Sequence, residues 1–207
     1  MYGIIVFGDS IAFGRGDSYK GGWCGRLKQF FEKKASHNCL FNLSICGDTS
    51  TKLLDRFDVE LSHRAKYIRE GDKNILILAI GINDSRLLLD ISKEETTLLE
   101  FEKNINILID KSKKSVDEVF IINLIPVDEK ITIDFEKTQF TNKRINEFNN
   151  ILKKVSEEKE VYFIDIYNYF INLNYTNLLF DGLHPNSDGY DLMFEKIKDF
   201  LESKNVF

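Results

Sequence analysis

Four polar stations along this 207-residue chain hold the residue types that a nucleophilic hydrolysis needs. Ser10 stands in Gly8-Asp9-Ser10-Ile11, and Gly47 in Ser44-Ile45-Cys46-Gly47-Asp48. Asn83 stands in Gly81-Ile82-Asn83-Asp84, and Asp181 with His184 in Asp181-Gly182-Leu183-His184-Pro185. A serine hydroxyl becomes a useful nucleophile with a base to take its proton, a group to orient that base, and donors for the oxyanion that forms. A hydroxyl, a glycine amide, a carboxamide and an imidazole near a carboxylate supply such parts. Each station also has a plainer reading, since Gly-Asp-Ser is favoured in turns and helix N-caps for purely local reasons. Position in the fold has to decide between them.

The elements that position these residues alternate along the chain. Apolar, β-branched runs at 2–7, 39–43, 74–80, 119–124 and 161–164 predict five strands. The run at 74–80 is apolar throughout, as expected of a central parallel strand buried on both faces. Between the strands, helical spacing is marked by Trp23, Leu27, Phe30 and Phe31, then by Leu53, Leu54, Phe57 and Leu61 towards Gly71. It recurs in Leu98, Phe101, Ile105 and Leu108, and again in Ile145, Phe148, Leu152 and Val155. A last helix carries Tyr190, Phe194 and Ile197, with Ser187 as its expected cap. Residues 127–137 show no periodicity and predict a loop, and 165–180 is aromatic-rich and irregular. This alternation predicts one domain over 1–207, a three-layer α/β/α sandwich with a five-stranded parallel sheet and right-handed crossovers. In such sheets ligands bind outside the carboxyl ends of the strands, and all four stations fall at or shortly after such ends.

Composition narrows the function classes. A hydrophobic content of 43% with 17 Phe supplies a core, while a net charge of −5 and a pI near 5.4 leave no basic footprint for nucleic acid. No apolar run reaches the roughly eighteen residues of a membrane span, and no basic, apolar, small-residue leader opens the chain. Cys24, Cys39 and Cys46 form no CxxC and read as reduced thiols, so a cytoplasmic protein is expected. His37 and His63 sit in polar contexts away from strand ends, and no HExxH exists, so neither a metal nor another cofactor is expected. Gly14-Arg15-Gly16 lacks both the P-loop pattern and the later glycine of a dinucleotide fingerprint. No GxSxG elbow is present, which argues against the α/β-hydrolase fold proper.

Taken in order, the Gly8-Asp9-Ser10-Ile11 block, Gly47, the Gly81-Ile82-Asn83-Asp84 block and the Asp181-to-Pro185 block resemble the SGNH (GDSL-type) hydrolases over nearly the whole chain. The resemblance implies a flavodoxin-like SGNH hydrolase fold and an esterase acting on a small-molecule ester. It implies Ser10 as nucleophile, His184 as general base and then acid, and Asp181 as the group that orients the imidazole. It further implies an oxyanion hole made by the Ser10 amide, the Gly47 amide and the Asn83 side chain. Asp9 and Asp84 read as scaffold, since a free carboxylate there would oppose developing negative charge. Ser44 departs from the pattern, which often carries glycine at that place in the second block. Segments 13–23, 127–137 and 167–180 are expected to build the acyl and alcohol pockets. A flavodoxin-like binding domain shares the layer order, but its phosphate loop would be rich in Ser and Thr. A degenerate SGNH-like binding module is the other non-catalytic reading.

Overall fold

The computed structural model describes residues 2–66 and 70–207. Strand β1 (Tyr2–Gly8) leads into a single turn of helix, α1 (Ser10–Phe13), followed by α2 (Gly22–Lys34) and β2 (Cys39–Asn42). Helix α3 (Ser50–Arg64) and strand β3 (Lys73–Ala79) come next. Two short strands, β4 (Leu87–Leu88) and β5 (Lys93–Glu94), precede α4 (Leu98–Ser112) and β6 (Glu118–Ile122). The chain continues through α5 (Glu129–Thr132), β7 (Thr138–Gln139), α6 (Asn142–Glu158) and β8 (Tyr162–Ile164). It closes with α7 (Tyr167–Ile171), a 3-10 turn (Tyr175–Leu178) and α8 (Ser187–Ser203).

Strands β1, β2, β3, β6 and β8 form one all-parallel sheet in the order β2-β1-β3-β6-β8. Helices cover both faces, because a strand such as β3, with Ile75 to Leu78 buried throughout, has no face to offer water. On one side Phe30 of α2 meets Phe194 of α8 edge-on, with ring centroids 6.0 Å apart. On the other, Phe57 of α3 packs on Phe7 of β1, and Phe101 of α4 on Phe148 of α6, both at 4.7 Å. Among the described residues no helix is long and apolar enough to cross a membrane.

Strand order fixes where a site can form. From β1 the chain goes to β2 on one side and then returns to β3 on the other, so β1 and β3 flank the topological switch point. Their pairing ends at Gly8 opposite Ala79, and the two chains part beyond it. Ser10 and Asn83 therefore emerge on either side of the same crevice.

The expected strands and helices lie where their patterns put them, with ends shifted by a few residues. Helix α3 stops at Arg64, and 67–69 lie outside the described residues. Asn186, not Ser187, caps α8, accepting from the Gly189 amide at 3.0 Å; Ser187 is already helical. The 127–137 loop contains α5, and 165–180 contains α7 and the 3-10 turn. Strands β5, β4 and β7 form a small antiparallel sheet that the sequence reading lacks. Two-residue strands are too short to show a period.

One buried ion network ties the segment after Ser10 to the segment after His184. Arg26 of α2 pairs with the buried Asp17 and with Asp191, and donates to the carbonyls of Gly22 at 2.9 Å and Ser187 at 3.0 Å. Arg26→Ala would leave Asp17 buried without its counter-charge, which typically costs about 3–5 kcal/mol. A urea midpoint that falls accordingly is the expected result; a midpoint shift equivalent to less than about 1 kcal/mol would show the network to be dispensable.

Candidate active site

Asp9 caps the turn that follows β1, accepting from the Ile11 amide at 3.0 Å, and so sets Ser10 in the first turn of α1. There the Ser10 amide has no helical acceptor upstream. The far end of the chain supplies the partner of the Ser10 hydroxyl. Residues 179–185 close into a tight turn, with the Phe180 amide donating to the His184 carbonyl at 2.7 Å. Asp181 folds back inside this turn and accepts from the Leu183 and His184 amides at 3.0 and 2.8 Å.

These two turns meet. Ser10 Oγ lies 2.8 Å from His184 Nε2, and His184 Nδ1 lies 2.8 Å from Asp181 Oδ2. A carboxylate only accepts, so Nδ1 carries the proton and Nε2 is left to accept from the serine hydroxyl. Burial pushes the Asp181 carboxyl up, but the hydrogen bonds from the His184 side chain and amide outweigh it and hold the group below the usual carboxylate range. Ser10 and His184 are largely buried, at 6% and 4% exposure, yet both line an open cleft of about 530 Å³.

Gly47 and Asn83 line the same cleft. Gly47 is the third residue of a turn closed by the Asp48 amide on the Ile45 carbonyl at 3.2 Å, and its φ is +81°. That conformation is the reason for glycine. A Cβ there would meet no atom of the described residues within 4 Å, so the positive φ, and not crowding by the protein, is what selects glycine in this structure. Among the described residues neither the Ser10 nor the Gly47 amide donates to a protein acceptor. The Asn83 Nδ2 donates to the Asp48 carbonyl at 2.9 Å, which fixes the amide's orientation and leaves its second N–H.

The two neighbouring acids brace these turns. Asp84 accepts from the Ser50 amide at 2.9 Å and the Ser50 hydroxyl at 2.6 Å, at the start of α3. Burial pushes its carboxyl up to about 6, against the pull of the Ser50 hydrogen bonds. Burial also pushes the Asp9 carboxyl up to about 7, with Asp84 and Asp48 adding to it and the Ile11 amide opposing.

The rest of the lining is Arg15, Cys46, Arg86, Phe135, Glu136, Thr138, Phe140 and Leu183. Segments 13–23 and 127–137 contribute as expected, through Arg15 and through Phe135 and Glu136, whereas the cleft takes nothing from 167–180. Arg86, Thr138 and Phe140 were not foreseen; Arg86, three residues past Asn83, was the one with a sequence signal. His37 and His63 are exposed and do not line the cleft. Cys24, Cys39 and Cys46 are free thiols, and among the described residues no cluster of His, Cys, Asp and Glu is placed to hold a metal.

The Asp9 shift carries a sign that can be tested. A carboxyl whose folded value is raised contributes most below its unfolded value of about 3.9, and that contribution is lost as the pH rises to about 7. Whatever constant offset Asp9→Asn brings, its melting temperature relative to wild type is expected to rise across that window. A gap that stays constant from pH 4 to pH 7 would show that Asp9 titrates normally.

Comparison with known proteins agrees with this architecture. No curated protein sequence matches the chain. Among solved structures, the lipase/acylhydrolase from Enterococcus faecalis superposes with a TM-score of 0.76 at 22% identity, over 99% of this chain and 97% of that one. A psychrotrophic esterase from Pseudoalteromonas sp. gives 0.73 at 18% identity, over 99% of both chains. A catalytic mutant of an acetylxylan esterase from Geobacillus stearothermophilus gives 0.74 at 17% identity, over 97% and 92%. Residues 6–192 match the GDSL-like lipase/acylhydrolase family, and the chain belongs to that family.

Proposed function

We propose that this chain is a serine esterase that cleaves a carboxylic ester of a small molecule through an acyl-enzyme, with Ser10, His184 and Asp181 as its triad. The observation that carries the reading is the unbroken relay from Ser10 Oγ to His184 Nε2 and from His184 Nδ1 to Asp181 Oδ2, each link 2.8 Å. Support also comes from two of the similar structures. A structure of the Pseudoalteromonas esterase is inhibited by monoethylphosphonate, and the catalytic mutant of the Geobacillus esterase replaces a serine by alanine.

In the reaction Ser10 Oγ attacks the ester carbonyl while His184 Nε2 takes the hydroxyl proton. The carbonyl oxygen becomes an oxyanion, held by the Ser10 and Gly47 amides and the second N–H of Asn83. Asp181 keeps the imidazole in the required tautomer and stabilises it once protonated. The tetrahedral intermediate collapses as His184 returns the proton to the leaving alcohol, which leaves Ser10 acylated. Water, deprotonated by the same imidazole, then attacks the acyl carbon; collapse releases the acid and restores Ser10.

A fluorophosphonate probe is expected to label wild type and to leave Ser10→Ala unlabelled. Turnover of p-nitrophenyl acetate should fall by about 10³-fold or more in that variant. Persistent labelling would remove Ser10 as nucleophile. For Asn83→Ala, kcat should fall by about 10²-fold or more with little change in KM, the size seen for one oxyanion donor. A kcat within twofold of wild type, in a variant whose melt shows it folded, would take Asn83 out of the oxyanion hole.

A further inference from the structure

Two charges in the Ser10 cleft have no part in the esterase chemistry. Arg15 and Glu136 both line it and both are exposed, and among the described residues neither is paired with an opposite charge. The third charged lining residue, Arg86, differs. Its Nε and Nη2 lie 3.1 and 3.0 Å from Glu95 Oε2, so its charge is already compensated. Asp17, Asp48 and Glu94 in the same way compensate Arg26, Arg56 and Arg144.

An unpaired surface arginine is ordinary, but this one is held. The Arg15 amide donates to the Ser10 carbonyl at 2.9 Å, and the Arg15 carbonyl accepts from the hydroxyl of the buried Tyr190 at 2.8 Å. The backbone from which the side chain springs is thus fixed to the nucleophile's own residue. Its charge also reaches the residue before Gly47: burial pushes the Cys46 thiol up, and the Arg15 guanidinium works against that shift. Arg15 therefore stands beside both the serine and the glycine turn, with its donors uncommitted. A guanidinium of this kind matches the planar, two-oxygen geometry of a carboxylate or phosphate.

We propose that Arg15 is a specificity-determining residue of the cleft, which selects esters bearing a carboxylate or phosphate group close to the scissile carbonyl. The proposal rests on the esterase reading above. Glu136, from the turn between Phe135 and Thr138, opposes an anion and limits the preference.

The test compares matched substrates that differ in charge. One pair puts the charge on the acyl side, p-nitrophenyl hemisuccinate against p-nitrophenyl methyl succinate. A second puts it on the alcohol side, 4-acetoxybenzoate against its methyl ester, and a third replaces that carboxylate by a phosphate monoester. In wild type at low salt the charged member of at least one pair should have the higher kcat/KM, by about fivefold, the size of one ion pair at a cleft rim. The preference should lie mainly in KM and shrink as salt is added. Arg15→Gln should bring the ratio to about one, Arg15→Glu should invert it, and Glu136→Gln should raise it. Ratios within twofold of one in every wild-type pair would overturn the proposal. So would an equal loss on charged and neutral members in Arg15→Gln, which would make Arg15 a general electrostatic support of the oxyanion. If no ester in any pair is hydrolysed and no fluorophosphonate label appears, the esterase reading itself has failed, and the proposal falls with it.

Discussion

Much of the site's geometry depends on one buried carboxyl. Asp84, with no exposed surface, holds the end of the β3 connection against the first turn of α3 by accepting from both the amide and the hydroxyl of Ser50. Asn104 of α4 donates to the Ser50 and Thr51 hydroxyls at 3.0 Å, so three elements converge on that point. One residue earlier, Asn83 is fastened to the Asp48 carbonyl. Asp48 in turn is gripped through its carboxylate by Arg56, whose guanidinium lies 5.6 Å from the Phe7 ring of β1. The carboxamide and the glycine turn come from different strand ends, yet they share one frame. Donors fixed in this way would need little reorganisation as charge develops in the proposed reaction.

The imidazole reaches that frame by another route. His184 is 174 residues from Ser10 in sequence, and nothing local could hold the two at 2.8 Å. The switch point between β1 and β3 fixes where Ser10 emerges, and the pairing of α2 with α8 fixes where the His184 turn is delivered. Arg26 joins the two, since it reaches both the loop after Ser10 and the first residue of α8. Ser44 shows how closely the first two strand ends meet. Among the described residues its hydroxyl is buried without a hydrogen-bond partner, and it lies 3.1 Å from where a Gly8 side chain would begin. A Gly8 Cβ would also strike Ala12 and the Ala79 carbonyl at 2.6 Å, so the first glycine of the serine block is a packing requirement between β1 and β3.

Sequence made the sheet legible because burial on both faces leaves a simple trace: Ile75 to Leu78 cannot be read as anything but interior. It made the four stations legible because polar residues at strand ends are conspicuous beside such runs. Less legible were features that depend on contacts distant in sequence. Strands β4, β5 and β7 exist because Leu87 and Leu88 pair with residues on both sides of them, and two residues carry no period. Arg86, Thr138 and Phe140, which line the cleft, lie in or next to the strands of that small sheet. For Gly47 the turn supplies a reason that the sequence alone does not carry, since its φ of +81° is known only from the structure.

The acids around Ser10 divide into two kinds, and environment alone separates them. Asp181 is only partly buried and receives two backbone amides as well as the imidazole, so its charged form is favoured. Asp9 and Asp84 lose more to burial than their donors return, and each is pushed towards its neutral form near neutral pH. In the proposed reaction, ionised carboxylates around a developing oxyanion would raise the barrier that the amide donors lower. Burial holds Asp9, and to a smaller degree Asp84, back from full ionisation near neutral pH, while both oxygens can still accept from the turns they brace. Under the proposed mechanism Asp181, whose carboxyl is held below the usual carboxylate range, sits behind the imidazole, where positive charge will form. Carboxyls close together thereby brace their turns while their environments set their charge states apart.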